Sequence, residues 1–235
     1  MLKSRRCSFF IFHCSLFTVP HMIGIFGGTF DPVHYGHIKT ALSVKQALNL
    51  SQLRFIPNRM PPHRADPWLS VEQRLQLLHA TLLDYPDVII DERELDRDGP
   101  SYMVDTLASL KQEFPHEALC LVIGMDAFFG ITSWFKWRSL FDLCHLVVID
   151  RPGFDKTSIE QQFDEADYAF LKERMTSDAN TLTTQENGRI LLQSVPQLDI
   201  SSTMIRDNLS DEKLLAQWMP EPTYKKLRGF INDDR

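Results

Sequence analysis

Three glycines and two histidines stand close together in Gly27-Gly28-Thr29-Phe30-Asp31-Pro32-Val33-His34-Tyr35-Gly36-His37. Paired glycines behind a strand let the backbone approach a ligand closely, with amide N–H groups free to donate to phosphate. His34 and His37 flank Gly36 at the start of a helix, whose N-terminus already favours anions. Imidazoles placed there donate hydrogen bonds to phosphate oxygens and offset charge that builds in a transition state. A tight turn accounts for the glycines equally well, and a lone histidine would read as a helix-entry residue, so the signal lies in the combination. The HxxH spacing also raises a metal site, yet no Cys, Glu or further His stands close by to complete a zinc set. The segment lacks the Gly-Lys-Ser/Thr of the Walker loop and the spacing of GxGxxG.

Three further groups of residues carry polar chemistry. Ser201-Ser202-Thr203, with Arg206 three residues on, reads as a helix N-terminus with hydroxyl caps and one positive charge a turn later. A plain capped helix and a triphosphate clamp both fit, and the position after the last strand favours the clamp. Ile123-Gly124-Met125-Asp126 ends an apolar run in a glycine and a carboxylate, where Asp126 either accepts from a ribose or caps the next helix. Asn58 and Arg64 stand beyond another apolar run on a proline-stiffened loop, and Arg64 suits a phosphate or carboxylate. Lys39 adds charge to the histidine turn or is a solvated helix lysine. Trp134-Phe135-Lys136-Trp137 reads on composition alone as core packing.

The elements that must position these residues follow a regular order. Ile23–Phe26, Leu53–Ile56, Val88–Ile90, Leu119–Ile123, Leu146–Ile149 and Ile190–Leu192 read as buried strands. Between them lie helices. In the clearest, Ser70 and Gln73 form a capping box and Val71, Leu75, Leu78 and Leu82 form one apolar face. Another follows Gly36, with Ile38, Ala41, Leu42 and Leu48 inward. Apolar strands separated by helices predict a doubly wound, Rossmann-like α/β domain, a parallel sheet with helices on both faces. Ligands in such sheets sit at the carboxyl ends of the strands, where the motif-bearing turns fall. Asp155–Asn187 reads as a helical insertion with a mobile loop near Thr176–Asn187, and Leu214–Trp218 and Thr223–Ile231 as short packing helices.

Bulk properties set limits. The 235 residues, 43% of them hydrophobic, fit a single domain over 22–235 with a substantial core. A net charge of −6 argues against nucleic acid as a partner. Cys7, Cys14, Cys120 and Cys144 show no metal-like spacing, and the last two read as reduced core residues, which points to the cytoplasm. Residues 1–21 superficially resemble a signal peptide, but His13 interrupts the apolar stretch and no small-residue cleavage site follows. The stretch is also too short to span a membrane as a helix. It reads as a non-structural extension ahead of the first strand.

A strand followed by GGTFDPVHYGH resembles the nucleotidyltransferase superfamily with the HxGH signature, here His34-Tyr35-Gly36-His37. More narrowly, the chain from about Met22 to about Gly229 is similar to bacterial nicotinate-nucleotide adenylyltransferases. The supporting pieces are Ile56-Pro57-Asn58 with Pro61-Pro62-His63-Arg64, Asp91-Glu92-Arg93-Glu94-Leu95, Pro100-Ser101-Tyr102, Ile123-Gly124-Met125-Asp126, Trp134, and Ile200-Ser201-Ser202-Thr203-Met204-Ile205-Arg206. The resemblance implies AMP transfer from ATP to nicotinate mononucleotide by in-line attack, with Mg²⁺ carried in on ATP and no metal bound by the protein itself. It implies catalytic roles for His34, His37 and Arg206. ATP would also touch Gly27, Gly28, Thr29, Lys39, Gly124, Asp126, Ser201, Ser202 and Thr203. Thr29, Asn58, Arg64, Ser101 and Tyr102 would hold the acceptor, with Trp134 stacked on its pyridine ring.

Several alternatives stay open at this point. Nicotinamide mononucleotide is a rival acceptor. Phosphopantetheine, phosphocholine and glycerol phosphate fit less well with Pro61–Arg64, Ser101–Tyr102 and Trp134. Class I aminoacyl-tRNA synthetases share a similar signature, but this chain is short and acidic and has no KMSKS-like loop. A non-catalytic nucleotide sensor is disfavoured by the presence of both histidines and Arg206. Monomer and homo-oligomer are equally compatible, and no membrane partner is expected.

Overall fold

The computed structural model describes residues 21–60, 66–150, 156–196 and 198–233. Its centre is a seven-stranded sheet in the order β3-β2-β1-β4-β5-β7-β6, every pairing parallel. The strands are β1 (Met22–Gly28), β2 (Gln52–Pro57), β3 (Val88–Ile90), β4 (Ala118–Gly124), β5 (His145–Asp150), β6 (Met175–Thr176) and β7 (Ile190–Ser194). The predicted doubly wound α/β architecture is what the chain adopts.

Strands without polar alternation are explained by burial on both sheet faces. In β4, Leu119, Leu121 and Ile123 enter one apolar cluster while Ala118, Cys120 and Val122 enter another. In β5, Leu146 and Val148 divide from Val147 and Ile149 in the same way. Helix α3 (Met103–Glu113) covers the first face through Val104, Leu107 and Leu110. Helix α1 (Tyr35–Ala47) covers the opposite face, and α2 (Val71–Leu82) packs there beside it against β2. Cys120 and Cys144 are free and buried, and burial pushes the Cys120 thiol up to about 12, so both serve as apolar filling. Cys7 and Cys14 lie outside the described residues.

Helix α2 starts as its capping box predicts. Ser70 Oγ accepts from the Gln73 amide at 3.2 Å, and Gln73 Oε1 accepts from the Ser70 amide at 3.0 Å. Its inner face differs from the expected one. Leu77, Leu78, Thr81 and Leu82 are buried together with Arg74, whereas Val71 and Leu75 are only half-buried. The helix is rotated toward Arg74 because that side chain has partners beneath the sheet's carboxyl edge. On α1 the buried residues are Ile38, Thr40, Ala41 and Val44, with Leu42 half-buried and Leu48 buried at the cap.

The 155–187 expectation is corrected in part. Residue 155 lies outside the described residues. The segment is helical over Lys156–Gln162 and α5 (Glu165–Lys172), as expected. Where a loop was expected, β6 forms the sheet edge against β7 and α6 (Thr181–Thr184) buries Leu182 completely. Two residues give too short a run to show strand periodicity. After β7 come α7 (Ser202–Asp207), α8 (Glu212–Trp218) and α9 (Glu221–Asp233).

Of residues 1–21, only His21 is described, and its carbonyl accepts from the Ala118 amide at 3.2 Å. No described helix is long and apolar enough to cross a membrane. Beyond β3, Asp91 accepts from Arg54 and Arg93, each at 2.8 Å. Burial pushes the Asp91 carboxyl up, but the hydrogen bonds from Arg93 and Arg54 outweigh it and leave the group below its ordinary range. Removing a charge from a buried cluster strands its partners. Asp91→Asn is therefore expected to lower the free energy of urea unfolding by about 3 kcal/mol at pH 7. A loss below about 1 kcal/mol would assign the cluster to the surface class of ion pairs instead.

Candidate active site

The strand order reverses between β1 and β4: β2 and β3 extend the sheet to one side, β5 and β7 to the other. A crevice must open above the carboxyl ends of these two strands, because their crossover connections leave in opposite directions. The pairing of Met22 with Ala118 and of Ile25 with Leu121 carries Gly28 level with Gly124. Gly27 and Gly28 thus flank the crevice on one side and Gly124 on the other. The space about Gly124 is open, and Asp126 is exposed in the first turn of α4 (Met125–Phe129).

The turn that follows β1 is held at several points. Phe30 has φ of 52°, in the left-handed region, with its ring buried among Phe26, Phe55 and His37. The Asp31 carboxylate accepts from the amides of Trp68 at 2.7 Å and Leu69 at 2.9 Å. From α7, Arg206 donates to the Asp31 carbonyl at 2.6 Å and to Thr203 Oγ1 at 3.1 Å, while Ser202 Oγ donates to the Pro32 carbonyl at 2.9 Å. Ser201 Oγ caps α7 by accepting from the Met204 amide at 3.1 Å. The capped-helix reading of Ser201–Arg206 is therefore present, and this helix start is bound directly to the histidine turn.

His34 is the N-cap residue of α1, and the His34 and His37 rings lie 3.8 Å apart at 31°. The His34 amide donates to His37 Nδ1 at 3.3 Å, which puts the proton of a neutral His37 ring on Nε2. Gly36 makes the pair possible: a Cβ there would stand 2.8 Å from both Cε1 and Nδ1 of His34 and 3.4 Å from the Ile200 carbonyl. His34 is only 5% exposed, and burial lowers its pKa to about 4. Its Nδ1 has no hydrogen-bond partner among the described residues. At neutral pH the ring is an uncharged donor and acceptor at the edge of the crevice.

On the other flank, Asn58 Nδ2 donates to Thr29 Oγ1 at 3.1 Å, and the Asn58 amide donates to the Gly28 carbonyl at 3.0 Å. Ser101 Oγ accepts from the amides of Arg59 and Met60, joining that segment to Tyr102. The Tyr102 ring packs against that of Phe135 at a tilt of 31°, with ring centres 4.5 Å apart, while Trp134 is half-buried against the core. Arg64 lies outside the described residues. Lys39 is exposed, with its ammonium 4.7 Å from the centre of the Tyr35 ring.

Sequence reasoning did not single out Asp31, Arg74 or Phe135. Arg74 carried a signal, a charged residue on the inward stripe between Val71 and Leu78, whereas the roles of Asp31 and Phe135 depend on distant partners. A cavity of about 510 Å³ lined by Arg138, Phe141, Arg174 and Arg189 shares no residue with this site. No group of three or more metal-ligating side chains occurs among the described residues.

A family model described as cytidylyltransferase-like matches residues 25–208. A probable nicotinate-nucleotide adenylyltransferase of Halorhodospira halophila is 43% identical over 205 residues, covering 87% of this chain and 92% of that protein. This chain is a nicotinate-nucleotide adenylyltransferase family member. A probable nicotinate-nucleotide adenylyltransferase of Methylococcus capsulatus, 44% identical, covers 85% of this chain over 93% of its own length. The nicotinic acid mononucleotide adenylyltransferase of Plasmodium falciparum, solved in complex with NaAD, shares the fold at 18% identity. Its TM-score is 0.65, over 89% of this chain and 96% of that one. The family model spans the HxGH turn, the end of β4 and α7.

The neutral, buried His34 has a measurable consequence. As pH falls below the ordinary value of 6.5, the unfolded chain takes up a proton at His34 that the folded chain refuses until about pH 4. Stability from this residue is thus fully present above pH 6.5 and falls between 6.5 and 4, by about 3 kcal/mol in all. His34→Gln should remove that component, seen as a shallower acid slope of unfolding free energy than in the unaltered chain. Parallel slopes would mean that the ring is solvated. Gly36→Ala should drive the ring outward, and a histidine NMR titration should then place its midpoint well above 4 and toward 6.5.

Proposed function

We propose that this chain transfers AMP from MgATP to nicotinate mononucleotide, releasing pyrophosphate and forming the deamido dinucleotide of NAD biosynthesis. The observation that carries the reading is the meeting of three elements at the β1/β4 reversal: the His34–His37 turn, the α7 start with Arg206, and the open carboxyl end of β4. The relatives at 43% and 44% identity bear names that specify the same activity.

An acceptor phosphate oxygen attacks the α-phosphorus of ATP in line with the bond to the bridging oxygen of pyrophosphate. One P–O bond forms and the other breaks, so no side-chain nucleophile enters. The acceptor phosphate is ionised at neutral pH, which leaves little for a general base to do. Catalysis then rests on positioning and on donors aimed at the transferring phosphoryl group. His34 and His37 supply N–H donors, the Gly27–Gly28 turn supplies amides, and Arg206 supplies charge. Lys39, Ser201, Ser202 and Thr203 border the triphosphate, and Thr29, Gly124 and Asp126 the rest of ATP. In this reading Thr29, Asn58 and Arg64 hold the acceptor phosphate, and Ser101, Tyr102 and Trp134 frame the pyridine ring. Mg²⁺ arrives as part of the nucleotide substrate. ATP-dependent chemistry and two reduced, buried thiols fit a cytoplasmic location for a single domain over 22–235.

Mixing the purified chain with MgATP and nicotinate mononucleotide should release pyrophosphate in step with the deamido dinucleotide, faster than with nicotinamide mononucleotide. Absence of pyrophosphate release with either acceptor would overturn the reading. His37→Ala should lower kcat by roughly 10²–10³ with the fold intact, the loss typical of one preorganised donor. Near-normal turnover in that variant would remove His37 from the mechanism.

A further inference from the structure

Arg74 is the largest fully buried side chain of the described residues, 1% exposed on the inner stripe of α2. One terminal guanidinium nitrogen donates to the Thr29 carbonyl at 2.8 Å, and the other reaches the Arg59 carbonyl at 3.5 Å. Its Nε is buried without a hydrogen-bond partner among the described residues. None of the described ion pairs includes it, and Asp31 and Glu72 act on it only through space, raising a pKa that burial lowers below the usual arginine range. The group stays protonated at neutral pH.

For stability alone this is a poor choice of residue. Burying a guanidinium without a carboxylate partner costs several kcal/mol, and an apolar side chain of similar volume often does as well or better. A flat fork that bonds two carbonyls on two chain segments, and a positive charge beneath them, are what only arginine brings. Those segments are the ones that present Thr29 and Asn58, whose side chains already touch at 3.1 Å. Helix α2 is tied to the same turn a second time, through the Trp68 and Leu69 amides on Asp31.

We propose that Arg74 is the positioning residue of the acceptor subsite. From below, it sets the separation of the Thr29 turn from the Asn58–Met60 segment and lends positive potential to a phosphate seated above them, without touching that phosphate. The inference rests on the reading that the phosphate of the mononucleotide acceptor binds beside Thr29 and Asn58.

Two variants of the full chain test it. Arg74→Met keeps the volume and removes donors and charge; Arg74→Lys keeps the charge and loses the fork. Arg74→Met should fold, with a melting temperature near that of the unaltered chain, and raise KM for nicotinate mononucleotide about 10-fold or more, the worth of one charged hydrogen bond. KM for ATP should move less than about 3-fold, and Arg74→Lys should fall between Arg74→Met and the unaltered chain. Amide hydrogen exchange should quicken at 28–31 and 58–60 and stay unchanged in β5. An unchanged acceptor KM in both variants overturns the proposal, as does a parallel rise in both KM values that tracks a fall in melting temperature. If Arg74→Met does not fold, the same split in Arg74→Lys decides. If the unaltered chain makes no dinucleotide, the functional reading fails, and the exchange comparison alone judges Arg74: unaltered exchange at both segments overturns its positioning role.

Discussion

The geometry of the site depends on how one unfavourable turn is held. A phenylalanine in the left-handed region costs on the order of 1–3 kcal/mol, and Phe30 occupies that region at φ 52° immediately before Asp31. Burial of its ring offsets the cost: Phe30 is 2% exposed, with the Phe55 ring centre at 5.5 Å and that of His37 at 5.3 Å. The Asp31 carboxylate then binds the two amides ahead of α2, and Arg206 binds the Asp31 carbonyl from α7. The segment leading into α2 and helix α7, both later in the chain than the turn, hold it together. The directions of the Gly27–Gly28 amides and of both imidazoles follow from this arrangement, since each lies within a few residues of the clamped carboxylate.

The sheet supplies what the turn cannot. A parallel sheet needs crossover connections, and the reversal of strand order at β1 and β4 leaves their carboxyl ends uncovered by a connecting helix. That is why Gly124 faces open space although the rest of β4 is buried on both sides. It is also why a residue as distant in sequence as Arg206 reaches Asp31: the chain must return across the sheet after β7 to cover the α1 side, and α7 is the first helix it forms there. Ile205 and Leu215 join Ile38 and Leu53 in one apolar cluster, so packing energy fixes α7 against the turn and the polar contacts set its register.

What could be read from the sequence was local or periodic. Six of the seven strands, the Ser70–Gln73 box and the crowding of His34 and His37 around Gly36 all follow from neighbours within four residues or from runs of apolar residues. Features set by distant partners were not legible. The rotation of α2 toward Arg74 follows from a carbonyl at Thr29, the Tyr102–Phe135 ring contact joins two separate segments, and β6 is a strand only because β7 lies beside it. The hydroxyls of Ser201–Thr203 show both situations. Their capping role is local and was expected, whereas the bond from Ser202 to the Pro32 carbonyl spans most of the chain.

Burial of His34 also assigns the charges in the proposed reaction. To be cationic at pH 7 its pKa would have to rise from about 4 by some three units, which requires about 4 kcal/mol of preferential interaction with the protonated form. In the proposed reaction an uncharged His34 serves as a donor, and its burial keeps solvent from competing with it for the developing charge. A neutral donor 3.8 Å from a second imidazole also avoids the repulsion that two cations at that separation would suffer. In the same reading the fixed positive charge at this end of the crevice falls to Arg206, whose guanidinium is oriented by the carbonyl of Asp31 and the hydroxyl of Thr203.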